Sequence, residues 1–283
     1  MRIRPRPAIV ILSALIGIAI VAITLDTAEN HLKPENSGKD ASTVAKLTVY
    51  PHAGNSRPSD ALANPYSEHF LDSFPLAETE ARLEYSPKSS SFAGKLTLRK
   101  MKPNFIYQLK LAGTADDIET MERLGFAGRW LLPGEGTNFS DDDYRALADK
   151  KHAESYIFFD WVLTDGDGNA TKSFRLDSSW HVLMSETLES AEHPADIEPI
   201  LLLFSKFPPN CYPPDEEFRR KGVIWPMSEH YWSGSRPEPG GTVLPPGRYR
   251  CLFRLTEECF HGVGGGFWAT AAECKVDFEV AAE

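Results

Sequence analysis

The segment from Ala8 to Leu25 restricts the structure of this chain more than any other feature of the sequence. It contains 18 residues, and only Ser13, Gly17 and Thr24 interrupt its apolar character. A helix of that length is roughly 27 Å long at about 1.5 Å per residue, close to the hydrocarbon thickness of a bilayer. Because the segment is apolar on all sides, it is atypical of a surface helix. The pattern predicts a transmembrane helix, and a buried core helix is the alternative.

The residues on either side of this segment indicate its orientation in the membrane and whether it is cleaved as a signal peptide. Three arginines precede it, whereas Asp26 and Glu29 follow it. By the positive-inside rule, this asymmetry places residues 1–7 in the cytoplasm and the main domain on the extracytoplasmic side. A cleaved signal has a shorter apolar core and small residues before the cleavage site, but Ala28 has an aspartate two positions upstream. We therefore expect a single-pass signal-anchor at residues 8–25, and secretion after signal cleavage is the alternative.

The charge of the chain limits its partners. The sequence contains 30 basic and 40 acidic residues, with a net charge of −10. Without the three N-terminal arginines, 27 basic residues remain against 40 acidic ones, which gives −13 for the exported part. The sequence contains no basic run, and binding to phosphate groups requires clustered lysine and arginine side chains. We therefore expect no nucleic acid partner and no affinity of the exported part for anionic lipid head groups.

All four cysteines lie after residue 210, at Cys211, Cys251, Cys259 and Cys274. An even number of cysteines in an exported chain is typical of disulfide bonds. The chain has no C-x-x-C motif and no cysteine and histidine set at zinc spacing, which disfavours a metal or redox site. Disulfides are therefore expected in the C-terminal third. Four cysteines allow three connectivities, and the spacing does not choose among them.

A polar stretch and then a series of short β-type runs follow the apolar segment. Residues 26–43 lack large apolar side chains almost entirely, which predicts a flexible stalk. Further along the chain, short apolar runs alternate with Pro, Gly, Asn and Asp, which is typical of strands and turns. The predicted strands are Lys46–Tyr50, Ala81–Tyr85, Gly94–Arg99, Phe105–Leu111, Tyr156–Thr164, Thr171–Leu176, Trp180–Met184, Pro199–Ser205, Arg248–Leu255 and Cys274–Val280.

Two short helices are predicted between the two sets of strands. In Asp116–Leu124, the apolar residues Ile118, Met121 and Leu124 recur at helical spacing. Ser140 is followed by three aspartates, and this order is typical of an N-cap with acidic residues in the first helical turn. The pattern therefore predicts a mainly-β protein with short helical insertions.

One motif occurs twice, in LRKMKPNFIYQLKL and in VLPPGRYRCLFRL. In each copy an apolar residue and a proline precede a tyrosine, Tyr107 or Tyr249, at the start of an alternating strand. The motif resembles the tyrosine corner of immunoglobulin and fibronectin type III sandwiches, in which the hydroxyl bonds back to the preceding loop. Tyr249 precedes Cys251 by two residues, as in immunoglobulin domains, but no Cys-Trp-Cys spacing surrounds it. The resemblance implies a Greek-key sandwich and carries no function with it.

The expected organisation follows from these segments. The sandwich region at 44–283 is expected to be one composite sandwich or two small ones. In the second arrangement, halves at 44–113 and 154–283 flank a helical insertion at 114–153.

The turn Asp165-Gly-Asp-Gly-Asn169 has the D-x-D-x-N order that begins an EF-hand calcium loop. Ala170 replaces the glycine of such a loop, and Leu176 stands where the bidentate glutamate belongs. We therefore expect a solvated hairpin turn and no cofactor. A calcium site of another kind is the alternative, with the candidate ligands Asp160, Asp165, Asp167 and Asp177.

Aromatic residues occur in a stretch rich in proline and glycine near the C-terminus. Aromatic side chains on long loops form binding platforms for sugars or proline-rich peptides. The alternative is that they cover an open end of the sandwich. The candidate ligand-binding residues are Tyr212, Trp225, Tyr231, Trp232 and, after a run of glycines, Trp268.

The chain contains no H-E-x-x-H, G-x-S-x-G, G-x-G-x-x-G or P-loop motif. We therefore expect a membrane-anchored extracytoplasmic binding or structural protein of the cell envelope, with a glycan or a protein as its ligand. One alternative is an exported hydrolase that uses carboxylate or metal chemistry around Asp160–Asp177. Another is an accessory subunit of a membrane complex.

Overall fold

A computed structural model of the chain describes residues 42–50, 66–72, 75–103, 105–131, 140–185, 200–202, 222–228, 242–258 and 268–282. The predicted cytoplasmic tip, the apolar segment 8–25 and most of the stalk lie outside these residues. Within the described part, no helix is both long enough and apolar enough to cross a membrane.

Strands dominate the described residues. In chain order they are β1 (Thr43–Lys46), β2 (Thr48–Val49), β3 (Glu80–Tyr85), β4 (Lys88–Ser89), β5 (Ala93–Arg99), β6 (Ile106–Gly113), β7 (Arg129–Leu131), β8 (Glu154–Leu163), β9 (Ala170–Arg175), β10 (Trp180–Ser185), β11 (Ile200–Leu202), β12 (Gly222–Ser228), β13 (Gly247–Glu258) and β14 (Trp268–Val280). The α-helices are α1 (Glu68–Leu71), α2 (Ile118–Ala127) and α3 (Asp141–Ala146). Short 3-10 helices occur at Leu76–Glu78, Ala115–Asp117 and Lys150–His152.

The chain is mainly β, as predicted, and its strands form two larger sheets and a smaller one. The four-stranded sheet has the order β1-β3-β5-β9. The seven-stranded sheet has the order β2-β14-β13-β6-β8-β7, and β4 adds to β14 in parallel while the other pairs are antiparallel. The third sheet has the order β10-β12-β11. Strands from before and after the helical segment pair with each other in both larger sheets, so these strands form one composite structure.

The two larger sheets pack face to face around Phe92, which lies just before β5. Its ring has neighbouring rings from both sheets at centroid distances of 4.6 to 6.2 Å, namely Tyr85, Phe159, Phe174, Phe253 and Phe278. Leucines extend this core on both sides and are almost completely buried. Residues alternate between buried and more exposed along β3, which is the period-2 pattern of a strand with one face on a core.

Each of the two motif tyrosines forms a hydrogen bond with the backbone of a residue that precedes it. At the start of β6, the Tyr107 hydroxyl accepts a hydrogen bond from the Lys102 backbone N–H at 3.1 Å. At the start of β13, the Tyr249 hydroxyl donates to the Pro245 carbonyl at 2.6 Å. Because β6 and β13 are antiparallel neighbours, the two corners lie at opposite ends of the same sheet.

Helix α2 agrees with the predicted helix Asp116–Leu124 and runs three residues further. The Asp117 side chain accepts from the Thr120 N–H at 3.0 Å and so caps the helix at its N-terminus. A side chain at Gly113 on β6 would come within 2.6 Å of the Met121 Cα, so glycine permits the close packing of helix and strand. Ser140 caps α3 in a capping box, as its position before three aspartates indicates.

The predicted and the observed strands differ in places. The predicted strand Lys46–Tyr50 is divided at Leu47, because β1 joins the four-stranded sheet and β2 joins the seven-stranded sheet. Trp225 lies in β12, which was not among the predicted strands. Its neighbours Val223 and Ile224 favour strands, and Pro226 is opposite Val182 of β10, beyond the residues that pair with β11.

Cys251 and Cys274 are free thiols in the core-facing rows of β13 and β14. Cys251 is opposite Val276, whereas Cys274 is opposite Phe253, so the two cysteines are diagonal neighbours. Diagonal positions are about 7–8 Å apart, beyond the usual Cα separation of a disulfide. Burial raises the pKa of both thiols, that of Cys274 to about 12. Cys211 and Cys259, the other predicted disulfide residues, lie outside the described residues.

Candidate functional site

The turn between β8 and β9 is held by its own side chains. The Asp165 carboxylate accepts from the backbone N–H groups of Asp167 and Asn169 at 2.9 and 2.8 Å. Gly168 has φ = +75°, a conformation that favours glycine. The turn chemistry was therefore predicted well, but β8 and β9 do not form the expected hairpin. They belong to different sheets, because local turn residues reverse the chain without specifying its partner strand.

An ion pair joins the two larger sheets at the edge formed by β8 and β9. Lys172 Nζ lies 3.1 Å from Asp160 Oδ1, and the two side chains are 36% and 15% exposed. Asp160 is opposite Leu109 and Lys172 is opposite Leu96, and both leucines are buried in the core. The lysine and the aspartate therefore extend into the gap between the sheets.

The pKa of the Asp160 carboxyl is raised, chiefly because burial removes water from its charged form. The Lys172 ammonium opposes this shift, and the Asp177 carboxylate adds to it. Asp177 follows the end of β9, so β9 and its C-terminal extension supply both of these charges. The site thus has one buried carboxyl group that ionises less readily than a solvated one, together with a cation and a second carboxylate.

Two tryptophans lie beside this ion pair. The rings of Trp161 on β8 and Trp180 on β10 are 5.5 Å apart and nearly perpendicular, at 88°. Lys172 Nζ lies 5.6 Å from the centre of the Trp161 ring. Both tryptophans are partly exposed. They form a partly exposed aromatic wall beside the ion pair.

The segment that leads into β10 adds polar groups. Ser178 Oγ donates to the Asp177 carboxylate at 3.0 Å. Ser179 Oγ is the one buried side-chain polar atom of the described residues that has no hydrogen-bond partner. We call the following five residues the edge site: Asp160, Trp161, Lys172, Asp177 and Trp180.

Two of the four candidate metal ligands belong to the edge site, and the other two lie outside it. Asp160 and Asp177 belong to it, whereas Asp165 and Asp167 lie in the turn. In the described ranges, no three histidine, cysteine, aspartate or glutamate side chains converge on a position for a metal ion.

The aromatic residues predicted to bind a ligand are placed only in part. Tyr212, Tyr231 and Trp232 lie outside the described residues. Trp225 is opposite Leu183 in the third sheet, and Trp268 is the first residue of β14. Sequence reasoning passed over the two tryptophans of the edge site, although each lies inside a predicted strand. The adjacent residues Asp160 and Trp161 were the one sequence signal that could have identified Trp161 as a candidate binding residue.

A concavity of about 500 Å³ lies elsewhere, between the end of β3 and the residues before α2. Tyr85 and Asp117 are on its walls, and Cys251 is in its lining. Its carboxylate Asp277 is engaged by Arg248, which holds the pKa of that carboxyl below its usual range. Burial raises the pKa of the Cys251 thiol, which disfavours the reactive thiolate. The groups of this cleft are therefore less suited to chemistry than those of the edge site.

No family model matches this chain, and the curated proteins and the solved structures contain no match either. Function is therefore inferred from the sequence and from the geometry of the described residues.

Proposed function

We propose that this protein is a membrane-anchored binding module of the cell envelope and that its ligand binds at the edge site. One observation carries the proposal: two partly exposed tryptophans lie beside the paired charges Asp160 and Lys172. Aromatic side chains with one apolar face and a few fixed polar groups are typical of ligand sites.

The fold and the location belong to the same proposal. The two tyrosine corners support an immunoglobulin or fibronectin III-like Greek-key sandwich, a scaffold that presents binding sites at its edges and loops. The apolar segment 8–25 with arginines before it supports a tether with a cytoplasmic N-terminus. Sequencing the N-terminus of the mature protein tests the tether, since a start near residue 29 would mean a cleaved signal peptide instead.

Binding arrays test the site. Full-length protein in mild detergent is applied to glycan and peptide arrays together with the variant Trp180→Ala. We expect a saturable ligand whose affinity falls at least tenfold in the variant, because central aromatic residues dominate binding energy. Phe126→Ala is the matched control, since Phe126 is a partly exposed aromatic residue on α2, away from the edge site. Equal binding by the wild type and Trp180→Ala would refute the site.

A hydrolase is the second candidate, and the raised pKa of Asp160 near Asp177 favours it. A carboxyl group with a raised pKa beside a second carboxyl group is a usual arrangement for general acid and base catalysis. Asp160 would donate a proton to the leaving oxygen while Asp177 accepts one from the attacking water. We would then expect hydrolysis of nitrophenyl glycosides that is lost in Asp160→Asn and in Asp177→Asn. Saturable binding without turnover would leave the binding module as the function.

A further inference from the structure

We infer that the ligand of the edge site is a neutral saccharide. This inference rests on the proposed function, because it names the chemical class of the ligand for that same site. It follows from three properties of the edge site: its aromatic wall, its unused hydrogen-bonding groups and its balance of charge.

The aromatic wall offers apolar surface beside polar groups. Trp161 and Trp180 meet edge to face, so their ring planes differ by 88° and do not shield one another by stacking. Both rings remain partly exposed, although one large neighbour, Lys172, lies against Trp161. A sugar ring also has C–H groups on its faces and hydroxyl groups on its rim, which fits an apolar wall with polar neighbours.

The unused hydrogen-bonding groups are both donors and acceptors. Asp160 Oδ1 accepts from Lys172 and from the Trp161 N–H, whereas Oδ2 has no partner among the described residues. Because Ser179 Oγ is the one buried unpartnered atom of this kind, Asp160 Oδ2 must reach solvent. The ammonium of Lys172 has three N–H groups, and its ion pair uses one.

Hydroxyl groups are the ligand groups that match this set. A hydroxyl donates to Asp160 Oδ2 and accepts from Lys172. A carboxylate satisfies only part of the set, because it cannot donate to Asp160.

The balance of charge selects a neutral ligand over a charged one. A cation would be attracted by tryptophan faces and carboxylates, but Lys172 already occupies that position over Trp161. An anion would approach Asp160 and Asp177 and would also meet an exported region with a net charge of −13. A neutral polyhydroxyl compound avoids both penalties.

The test uses affinity electrophoresis of the full-length protein in mild detergent. Hydroxyethyl cellulose, dextran and neutral xylan are the saccharide probes, alginate is the anionic probe, and tetramethylammonium in solution is the cationic probe. We expect retardation by at least one neutral polysaccharide, a dissociation constant at least tenfold higher in Trp180→Ala, and no effect of the other two probes. Phe126→Ala should bind like the wild type.

The other outcomes separate the two proposals. Binding of alginate or tetramethylammonium, or of an array peptide, that is lost in Trp180→Ala would overturn the saccharide and leave the binding module standing. Saccharide binding that Trp180→Ala does not weaken would overturn the edge site. If no probe and no array ligand binds saturably, both proposals fail.

Discussion

Lys102 makes several polar contacts at one corner of the seven-stranded sheet. Lys102 Nζ lies 2.7 Å from Glu257 Oε2, with side chains only 4% and 13% exposed. The same ammonium lies 4.7 Å from the centre of the Phe105 ring. The Lys102 backbone N–H donates to the Tyr107 hydroxyl, and its carbonyl accepts from Thr164 at 2.6 Å. One lysine therefore joins the first tyrosine corner to the end of β13.

Lys102→Met should destabilise the protein by about 3–5 kcal/mol, because it removes the ammonium that neutralises the largely buried Glu257 carboxylate. Urea unfolding measures the change. Lys88→Met is the matched control: its partner is Glu279, and these side chains are 62% and 48% exposed. The control should cost about 1 kcal/mol or less, since exposed ion pairs contribute little. Equal losses in the two variants would contradict a buried ion pair.

Asp160 should make the protein less stable as the pH rises above about 4, the pKa of a carboxyl in an unfolded chain. Burial raises the pKa of Asp160, so the folded state holds this proton more tightly than the unfolded state does. The contribution is complete below pH 4 and is lost as the pH rises through the raised pKa. The difference in unfolding free energy between the wild type and Asp160→Asn, measured in urea from pH 3 to 7, should therefore decrease with pH.

Asp277→Asn should show the opposite trend. Arg248 lowers the pKa of Asp277, so this carboxylate contributes stability above about pH 4 and loses it as the pH falls. The difference in unfolding free energy between the wild type and Asp277→Asn should be nearly constant from pH 4 to 7 and should become smaller toward pH 3. Parallel curves for the two variants would contradict the burial of Asp160.

At the scale of elements, the two tyrosine corners fix the starts of β6 and β13. Tyr107 is completely buried, and its hydroxyl satisfies a buried backbone N–H. Tyr249 instead satisfies a partly buried carbonyl, that of Pro245. The same sequence motif therefore satisfies different backbone groups at the two ends of the sheet, because the Tyr107 hydroxyl accepts a hydrogen bond and the Tyr249 hydroxyl donates one.

Tyr107→Phe should cost about 1–3 kcal/mol, because it leaves the Lys102 N–H buried without a partner. Tyr249→Phe should cost about 1 kcal/mol, since the freed carbonyl has some access to water. Thermal and urea unfolding measure both values. Tyr50→Phe is the control, because Tyr50 is 38% exposed and bonds to Glu273. This variant should lose less unfolding free energy than Tyr107→Phe or Tyr249→Phe. A larger effect at Tyr50 would contradict the structural role of the corners.

At the scale of the whole molecule, Phe92 is the point where the two larger sheets meet. It lies in a connection, yet it is fully buried and contacts rings from both sheets. Connections usually carry exposed residues, so the position of Phe92 was not evident from the pattern around it, YSPKSSSFAGK. A residue of a connection, and not only the residues of the strands, therefore takes part in packing the two sheets against each other.

Phe92→Ala should destabilise the protein by about 3–5 kcal/mol, because it opens a cavity between the sheets. Phe126→Ala removes the same side chain from α2, where it is 46% exposed, and should cost about 1 kcal/mol. Urea unfolding of both variants makes the comparison. Similar losses would contradict the central position of Phe92.

The edge site shows why the candidate site was predicted only in part. Asp160 and Asp177 were selected because they flank a turn, which is a local property of the sequence. Lys172 and Trp180 were not selected, because their distance from Asp160 depends on how one sheet lies on the other. An alternating pattern tells which face of a strand is buried, but it does not tell which strand lies opposite.

By itself, the sequence determined the local features: the mainly-β character, the helices α2 and α3, the turn at Asp165 and the hydrogen bonds of the two tyrosines. These depend on residues within a few positions of one another, through strand and helix periodicity, capping and turn chemistry. The tertiary structure alone decided that β8 and β9 belong to different sheets and that Lys172 meets Asp160 beside two tryptophans. The reason is physical: contacts between sheets are made by residues far apart in the chain, and the free energy of burying them depends on all of their partners together.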